Sequence, residues 1–178
     1  MPVLTTARLT CSPLHEQDWP FFSRYSTIPP SCALWRKTAL WQRSAPRSIL
    51  VSSHGRRAAH WLCLTVRDTD SQAPLGITGY IHREEDCAEV GFLFAPAAHG
   101  KGYGFESLRA LCDYAFLQGG IRRLTATVTA GNIASKRVLE KTGFQLEGEL
   151  RENYYLGGQW QNDWLFGLLK HEYLNNNP

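Results

Sequence analysis

Residues 89–104 run from a β-forming stretch, Glu89-Val90-Gly91-Phe92-Leu93-Phe94, through a loop with glycines at 100, 102 and 104, straight into an amphipathic helix. In that helix Phe105, Leu108, Leu111, Cys112, Ala115 and Phe116 recur at the three- and four-residue spacing of a single face, and Gly119-Gly120 stops it. A second β-forming stretch, Leu124 to Val128, follows at once. A strand, helix and strand of this length cross over with the two strands parallel. The chain is therefore an α/β protein, and its loop sits where the first parallel strand hands over to the helix.

The flanking sequence adds antiparallel elements. Leu4 to Thr10 reads as a first strand, with Ser12-Pro13 as a helix entry ahead of helical stretches over 15–25 and 33–43, the second holding Trp35, Leu40 and Trp41. The run Trp61 to Val66 is dense in β-formers and is closed by the turn Asp68-Thr69-Asp70-Ser71. Leu75 to His82 and Glu89 to Phe94 flank the charged turn Arg83-Glu84-Glu85-Asp86, which predicts an antiparallel meander. Asn132 stands at the N-cap of a short helix, Ile133 to Lys141, that closes at Gly143. Phe144 to Tyr155 and Gln159 to Leu169 flank Gly157-Gly158 and predict a hairpin. The sheet is thus mixed. With 178 residues in total, 1–174 form one domain, 175–178 read as a disordered tail, and Pro29-Pro30-Ser31 is a loose joint.

Glycines in such a loop let main chain approach a ligand, and the N–H groups at the following helix N-terminus favour a phosphate. The spacing excludes two nucleotide sites. GxxxxGK[ST] does not occur, and the acidic ribose-binding residue of a dinucleotide fold, about 20 positions on, is missing. Taken alone, the glycines suit a structural loop equally well. His15, His54, His60, His82, His99 and His171 show no metal-ligand spacing, so no metal is implied. No GxSxG or Cys-His signature supports an acyl-enzyme, and Cys87 and Cys112 read as packing residues.

The five cysteines, Cys11, Cys32, Cys63, Cys87 and Cys112, are odd in number and lack a CxxC pair; they read as reduced, mostly buried thiols of a cytoplasmic protein. No stretch nears the roughly 18 apolar residues of a spanning helix, and the first residues do not read as a secretory signal, so neither a membrane nor export is expected. Charge is uneven. From Trp19 to Arg67 there is no Asp or Glu, against Arg24, Arg36, Lys37, Arg43, Arg47, Arg56, Arg57 and Arg67. Such a segment either steers an acidic partner or is a solvated face. It carries no nucleic-acid reading motif, which makes that partner the weakest reading.

The loop His99-Gly100-Lys101-Gly102-Tyr103-Gly104 resembles the pyrophosphate motif of the GNAT acetyltransferase superfamily, Gln/Arg-x-x-Gly-x-Gly/Ala. Asn132-Ile133-Ala134-Ser135, Val138 to Lys141 and Gly143-Phe144 fall where that family places its next helix and strand. Ala7-Arg8-Leu9, and Gly158-Gln159-Trp160 with Asp163, resemble its RimJ/RimL-type branch. The resemblance implies a single-domain GNAT fold: a mixed, mostly antiparallel sheet with a central splayed parallel pair, flanked by helices. It implies acetyl-CoA as cosubstrate and no metal. Main-chain N–H groups near Leu93 and Phe94 would meet the thioester and pantetheine. His99 (through its N–H), Gly100, Lys101, Gly102, Tyr103 and Gly104 would meet the phosphates, Lys101 being either a phosphate partner or merely solvated. Asn132 would cap its helix, touch the cofactor, or both.

Two positions depart from the family pattern. His99 replaces the usual Gln or Arg, and Leu139 stands where many members carry the tyrosine that protonates the leaving thiolate. The resemblance passes that role to Ser135, one turn earlier on the same face. Glu89 matches a strand glutamate that acts as base through water, or else it is an edge residue paired with a neighbouring strand. The implied acceptor is an α-amine of a protein or peptide, with acidic residues or phosphate suiting the basic segment. The alternatives are a small-molecule amine (polyamine, aminoglycoside or amino-acid conjugate) or a non-catalytic CoA-binding module. Aromatics near Trp160 and Trp164 suit a homodimer.

Overall fold

The computed structural model describes residues 2–18, 20–21 and 61–176. Strand β5 (Cys87–Phe94) is its pivot. On one side it pairs antiparallel with β4 (Pro74–His82), from Gly76↔Phe94 to His82↔Ala88. On the other it pairs parallel with β6 (Arg123–Thr129), over Cys87↔Arg123, Ala88↔Leu124 and Glu89↔Thr125. Past that point β6 follows a different neighbour. Strand β8 (Gln159–Leu169) holds it antiparallel along its whole length, from Arg123↔Leu169 to Thr129↔Asp163, and β7 (Gln145–Leu156) lies outside β8. The described strands form one sheet in the order β1-β2-β3-β4-β5-β6-β8-β7, where β1 is Leu4–Thr5, β2 is Leu9–Pro13 and β3 is Trp61–Asp68. The expected mixed, mostly antiparallel sheet with a splayed parallel pair is what forms.

Helix α1 (Tyr103–Leu117) covers one face of this sheet. Its buried Leu108, Leu111, Cys112, Ala115 and Phe116 pack with Ala88, Val90 and Phe94 of β5, Leu9 and Cys11 of β2, and Leu64 and Val66 of β3 in a single core. The helix ends as its glycines require: Gly119 N–H reaches Tyr114 O at 2.8 Å, and Gly120 takes a φ of 68°. Helix α2 (Ile133–Thr142) is capped at both ends. Asn132 Oδ1 accepts from Ser135 N–H, and Gly143, at φ 105°, donates to Glu140 O.

Several expectations fail for local reasons. The first strand is two, β1 and β2, because Thr6–Arg8 turn a corner in which Thr6 N–H bonds Leu9 O at 2.9 Å. Ser12-Pro13 does not start a helix; it finishes β2. Leu14 N–H bonds Cys63 O, so even-numbered residues of β2 donate to β3, and the missing N–H of Pro13 falls on the other edge, beyond the end of β1. In the expected 15–25 helix, Glu16–Asp18 is a 3-10 turn; its later part, Pro20-Phe21 apart, together with the 33–43 helix, the Pro29-Pro30-Ser31 joint and Cys32, lies outside the described residues.

Helix α3 (Lys170–Asn176) was not expected, and it takes in Asn175 and Asn176, read from sequence as tail. Tyr173 anchors it, packing on Phe116 at 5.3 Å and donating its hydroxyl to Asp113 at 2.8 Å. Trp160 is exposed, but Trp164 is half-buried against the core with Lys136 over its ring, so of the two aromatics proposed for a dimer only Trp160 stands out. Cys11 and Cys112 are buried, while Cys63 and Cys87 are only partly so, and all four are free thiols. Within the basic 19–67 segment Arg67 is described, and it is paired with buried Asp18 rather than offered to a partner. The seven other basic residues of that segment lie outside the described residues.

Leu111 is fully buried at the centre of the α1 face. Leu111→Ala is expected to cost about 2–5 kcal/mol, read as a lowered midpoint in urea denaturation with little change in slope.

Candidate active site

Main-chain direction along β5 defines the site. At one end of the β4–β5 ladder Arg83 donates to Cys87 O, and at the other Ala95 donates to Leu75 O. Bonded and non-bonded pairs alternate in an antiparallel ladder. With the observed register, odd-numbered residues of β5 therefore direct their N–H and C=O groups to β4, and Val90, Phe92 and Phe94 direct theirs toward β6. Above Glu89, however, β6 has turned away. A cleft of about 630 Å³ fills the wedge, lined by Val90–Phe94, by Ala126–Val128 of β6, by the glycine loop and by one side of α2.

Of the two amides expected from β5, Phe94's faces this cleft, whereas Leu93's faces β4. The second cleft-facing N–H belongs to Phe92, which strand parity could have indicated once the pairing of β4 and β5 was fixed. His99 lines the cleft but not through its amide, which donates to Pro96 O at 3.1 Å to close the 3-10 turn Pro96–Ala98. Its ring Nε2 lies 2.9 Å from Phe94 O.

Gly100 and Gly102 have φ values of 73° and 82°, a region costly for any residue with a side chain. Glu106 N–H makes the first helical bond, to Gly102 O. The amides of Tyr103, Gly104 and Phe105 precede that bond and point out of the helix end. Gly104 has ordinary φ; a methyl there would sit 3.6 Å from Val138 and 3.8 Å from Phe94, so its bareness keeps the helix end approachable. Lys101 is exposed and is not among the lining residues.

From α2 come Asn132, Ser135, Val138, Leu139 and, at the outer end, Arg137 and Lys141. Leu139 is fully buried, with its side chain in the core. Glu89 is set back from the cleft: it pairs with Arg83, and its Oε1 lies 3.4 Å from the hydroxyl of Thr127, which does line the cleft. The structure therefore brings together all the expected residues except Glu89 and Lys101. Among the described residues no cluster of metal-ligating side chains occurs.

Sequence reading gave no role to Arg8 and Glu106. Glu106, in the first turn of α1, accepts from the Arg8 guanidinium at 2.5 and 2.8 Å, from the Arg8 N–H at 3.1 Å and from the Thr6 hydroxyl at 2.6 Å. Partial burial alone would raise its pKa, but these donors together hold it below the ordinary 4.5.

Chemically, the wedge offers strand-edge amides for an extended amide-containing chain and a helix end with two left-handed glycines for a phosphate. Both features of the pantetheine–pyrophosphate arm of coenzyme A are thus matched.

Residues 8–145 match the family model for the acetyltransferase (GNAT) domain. The uncharacterized N-acetyltransferase YnaD of Bacillus subtilis is 26% identical over 171 residues, covering 96% of this chain and 98% of the relative. The spermidine N(1)-acetyltransferase of Escherichia coli is 28% identical over 95 residues, or 53% of this chain and 50% of the relative. Among solved structures, the spermidine/spermine N-acetyltransferase SpeG of Vibrio cholerae, in mutant forms, superposes with a TM-score of 0.76 at 19% identity, over 97% of this chain and 100% of that one. RimL, a ribosomal L7/L12 α-N-protein acetyltransferase in complex with coenzyme A, gives 0.73 at 17% identity, over 94% and 98%.

Because the folded-state pKa of Glu106 is depressed, its contribution to stability is present above the unfolded value and is lost as pH falls through the folded one. The gap in melting temperature between wild type and Glu106→Gln is therefore expected to be constant near neutrality and to shrink below about pH 4.5, as measured by thermal denaturation in matched buffers.

Proposed function

Because the chain belongs to the GNAT acetyltransferase family, and so is an acetyl-CoA-dependent N-acetyltransferase, we propose that it acetylates the α-amino group of a protein or peptide, as the RimJ/RimL-type branch does. One observation carries this choice: among the described residues the cleft is lined by no aspartate or glutamate, and residues 19–67 contain neither in sequence. For a polyamine, the described lining offers no carboxylate directly, and Glu89, set behind Thr127, is already paired with Arg83. A single α-amine of pKa about 7.7–8.0 needs none and is substantially neutral near pH 7. Acidic residues after the N-terminus would suit the basic segment.

When bound, acetyl-CoA supplies an acetyl group activated as a thioester, which the amine lone pair attacks directly as the thiolate departs. The chain's residues serve this step by position. The N–H groups of Phe92 and Phe94 orient the donor and the thioester oxygen. Gly100, Gly102, Tyr103 and Gly104 present main chain to the phosphates, and Asn132 caps the end of α2 that carries Ser135. Ser135 donates from α2 toward the sulfur, in place of the tyrosine that Leu139 displaces. Glu89 receives the amine's proton by way of Thr127 or a water, a light task for an α-amine. Lys101 adds positive charge at the loop.

The second reading, a small-molecule acceptor, is favoured by the relatives named as spermidine acetyltransferases. Thiol release from acetyl-CoA over a panel of peptides and amines separates the two. Peptides with acidic residues after a free N-terminus are expected to give the highest kcat/KM, and it should fall as salt rises. Preference for spermidine, with no salt dependence for peptides, would sink the proposal. Ser135→Ala is expected to lower kcat about tenfold, leaving KM for acetyl-CoA within about twofold, since a thiolate of pKa about 8.5 departs acceptably unaided; steady-state kinetics on the best acceptor gives the measurement.

A further inference from the structure

We propose that Arg8 and Glu106 form a latch that aims the main chain of the glycine loop at the pyrophosphate, making Arg8 a positioning residue for the donor. The inference rests on the reading of the cleft as the acetyl-CoA site. Two segments remote in sequence meet at the latch: the Thr6–Arg8 corner, and the stretch from the Lys101–Gly102 peptide to Glu106 in the first turn of α1. Arg8 Nε and Nη2 bond Glu106 Oε2, while the Arg8 N–H and the Thr6 hydroxyl bond Oε1. The remaining arm of the guanidinium, Nη1, donates to Lys101 O at 3.1 Å, and its carbon stands 4.9 Å over the Tyr103 ring.

The bond to Lys101 O matters most. That carbonyl and the Gly102 N–H belong to one planar trans peptide unit and point in opposite directions. Holding the oxygen on Arg8 therefore turns the Gly102 N–H away from Arg8, which is not a lining residue, at a point where Gly102 lines the cleft. That peptide turns about ψ of Lys101 and φ of Gly102; glycine leaves the second angle a wide range, and the bond to Arg8 goes with the orientation observed at φ 82°. The Arg8 side chain is 49% exposed, so its guanidinium adds little stability beyond what Glu106 gains from the Thr6 hydroxyl and the Arg8 N–H. Its effect is directional.

The test compares acetyl-CoA with acetyl-pantetheine, a thioester donor lacking the pyrophosphate, on the full-length chain. Arg8→Ala is expected to raise KM for acetyl-CoA about tenfold, with kcat within about twofold, KM for acetyl-pantetheine unchanged and the melting temperature nearly so. Arg8→Lys, which cannot hold Glu106 and Lys101 O together, recovers only part of the loss. Equal changes for both donors, or an unchanged KM for acetyl-CoA, would overturn the latch alone. Should Arg8→Ala fail to fold, Glu106→Gln takes its place with the two donors: a KM raised for acetyl-CoA alone supports the latch, and equal or absent changes overturn it. Wild-type protein that binds no coenzyme A in calorimetry would overturn the donor reading and the latch with it.

Discussion

Peptide N–H and C=O groups on a buried strand require partners, and above Glu89 strand β5 finds protein partners from β4 on one edge while β6 leaves the other. The rest of the molecule keeps that condition in place. Strand β8 draws β6 aside along its full length. Helix α1 packs its apolar face behind β5, so β5 cannot follow. Under the proposed reading, an acetyl-CoA donor with amides along its arm would complete the edge as a further strand would, its phosphates ending at the helix whose first amides point outward.

Under the proposed reading, α2 serves both the donor and the chemistry. Its first turn presents Asn132 and Ser135, while Arg137 and Lys141 line the outer part. Between them Leu139 is sunk into the core. Leucine there carries no proton to give, whereas one turn earlier half-buried Ser135 has a hydroxyl on the same cleft. Under the proposed mechanism, then, the departure from the common family pattern is matched by the packing of the helix.

What the sequence made legible was local. The strand–loop–helix of 89–117, the caps Asn132 and Gly143, and the hairpin around Gly157-Gly158 each follow from periodicity or from residues with special backbone freedom. What escaped depended on pairs distant in sequence. Arg8 and Glu106 are 98 residues apart, and nothing in either neighbourhood announces the other. Which β5 amides face the cleft depends on the register with β4, so Phe92 replaced Leu93. The amide of His99 was consumed by a 3-10 turn around Pro96, which the glycine spacing does not encode. The terminal helix, short and ending in asparagines, owes its existence to Tyr173 reaching Asp113 across the fold.

The parallel contact between β5 and β6 extends over three residue pairs. It is a short seam between two half-sheets, and the cleft opens beyond it. Under the proposed reading, a donor seated along Phe92 and Phe94 and touching Ala126 to Val128 would lie against both halves at once. The halves also share the single core that α1 closes, so a bound donor would add a second bridge to one that packing already makes.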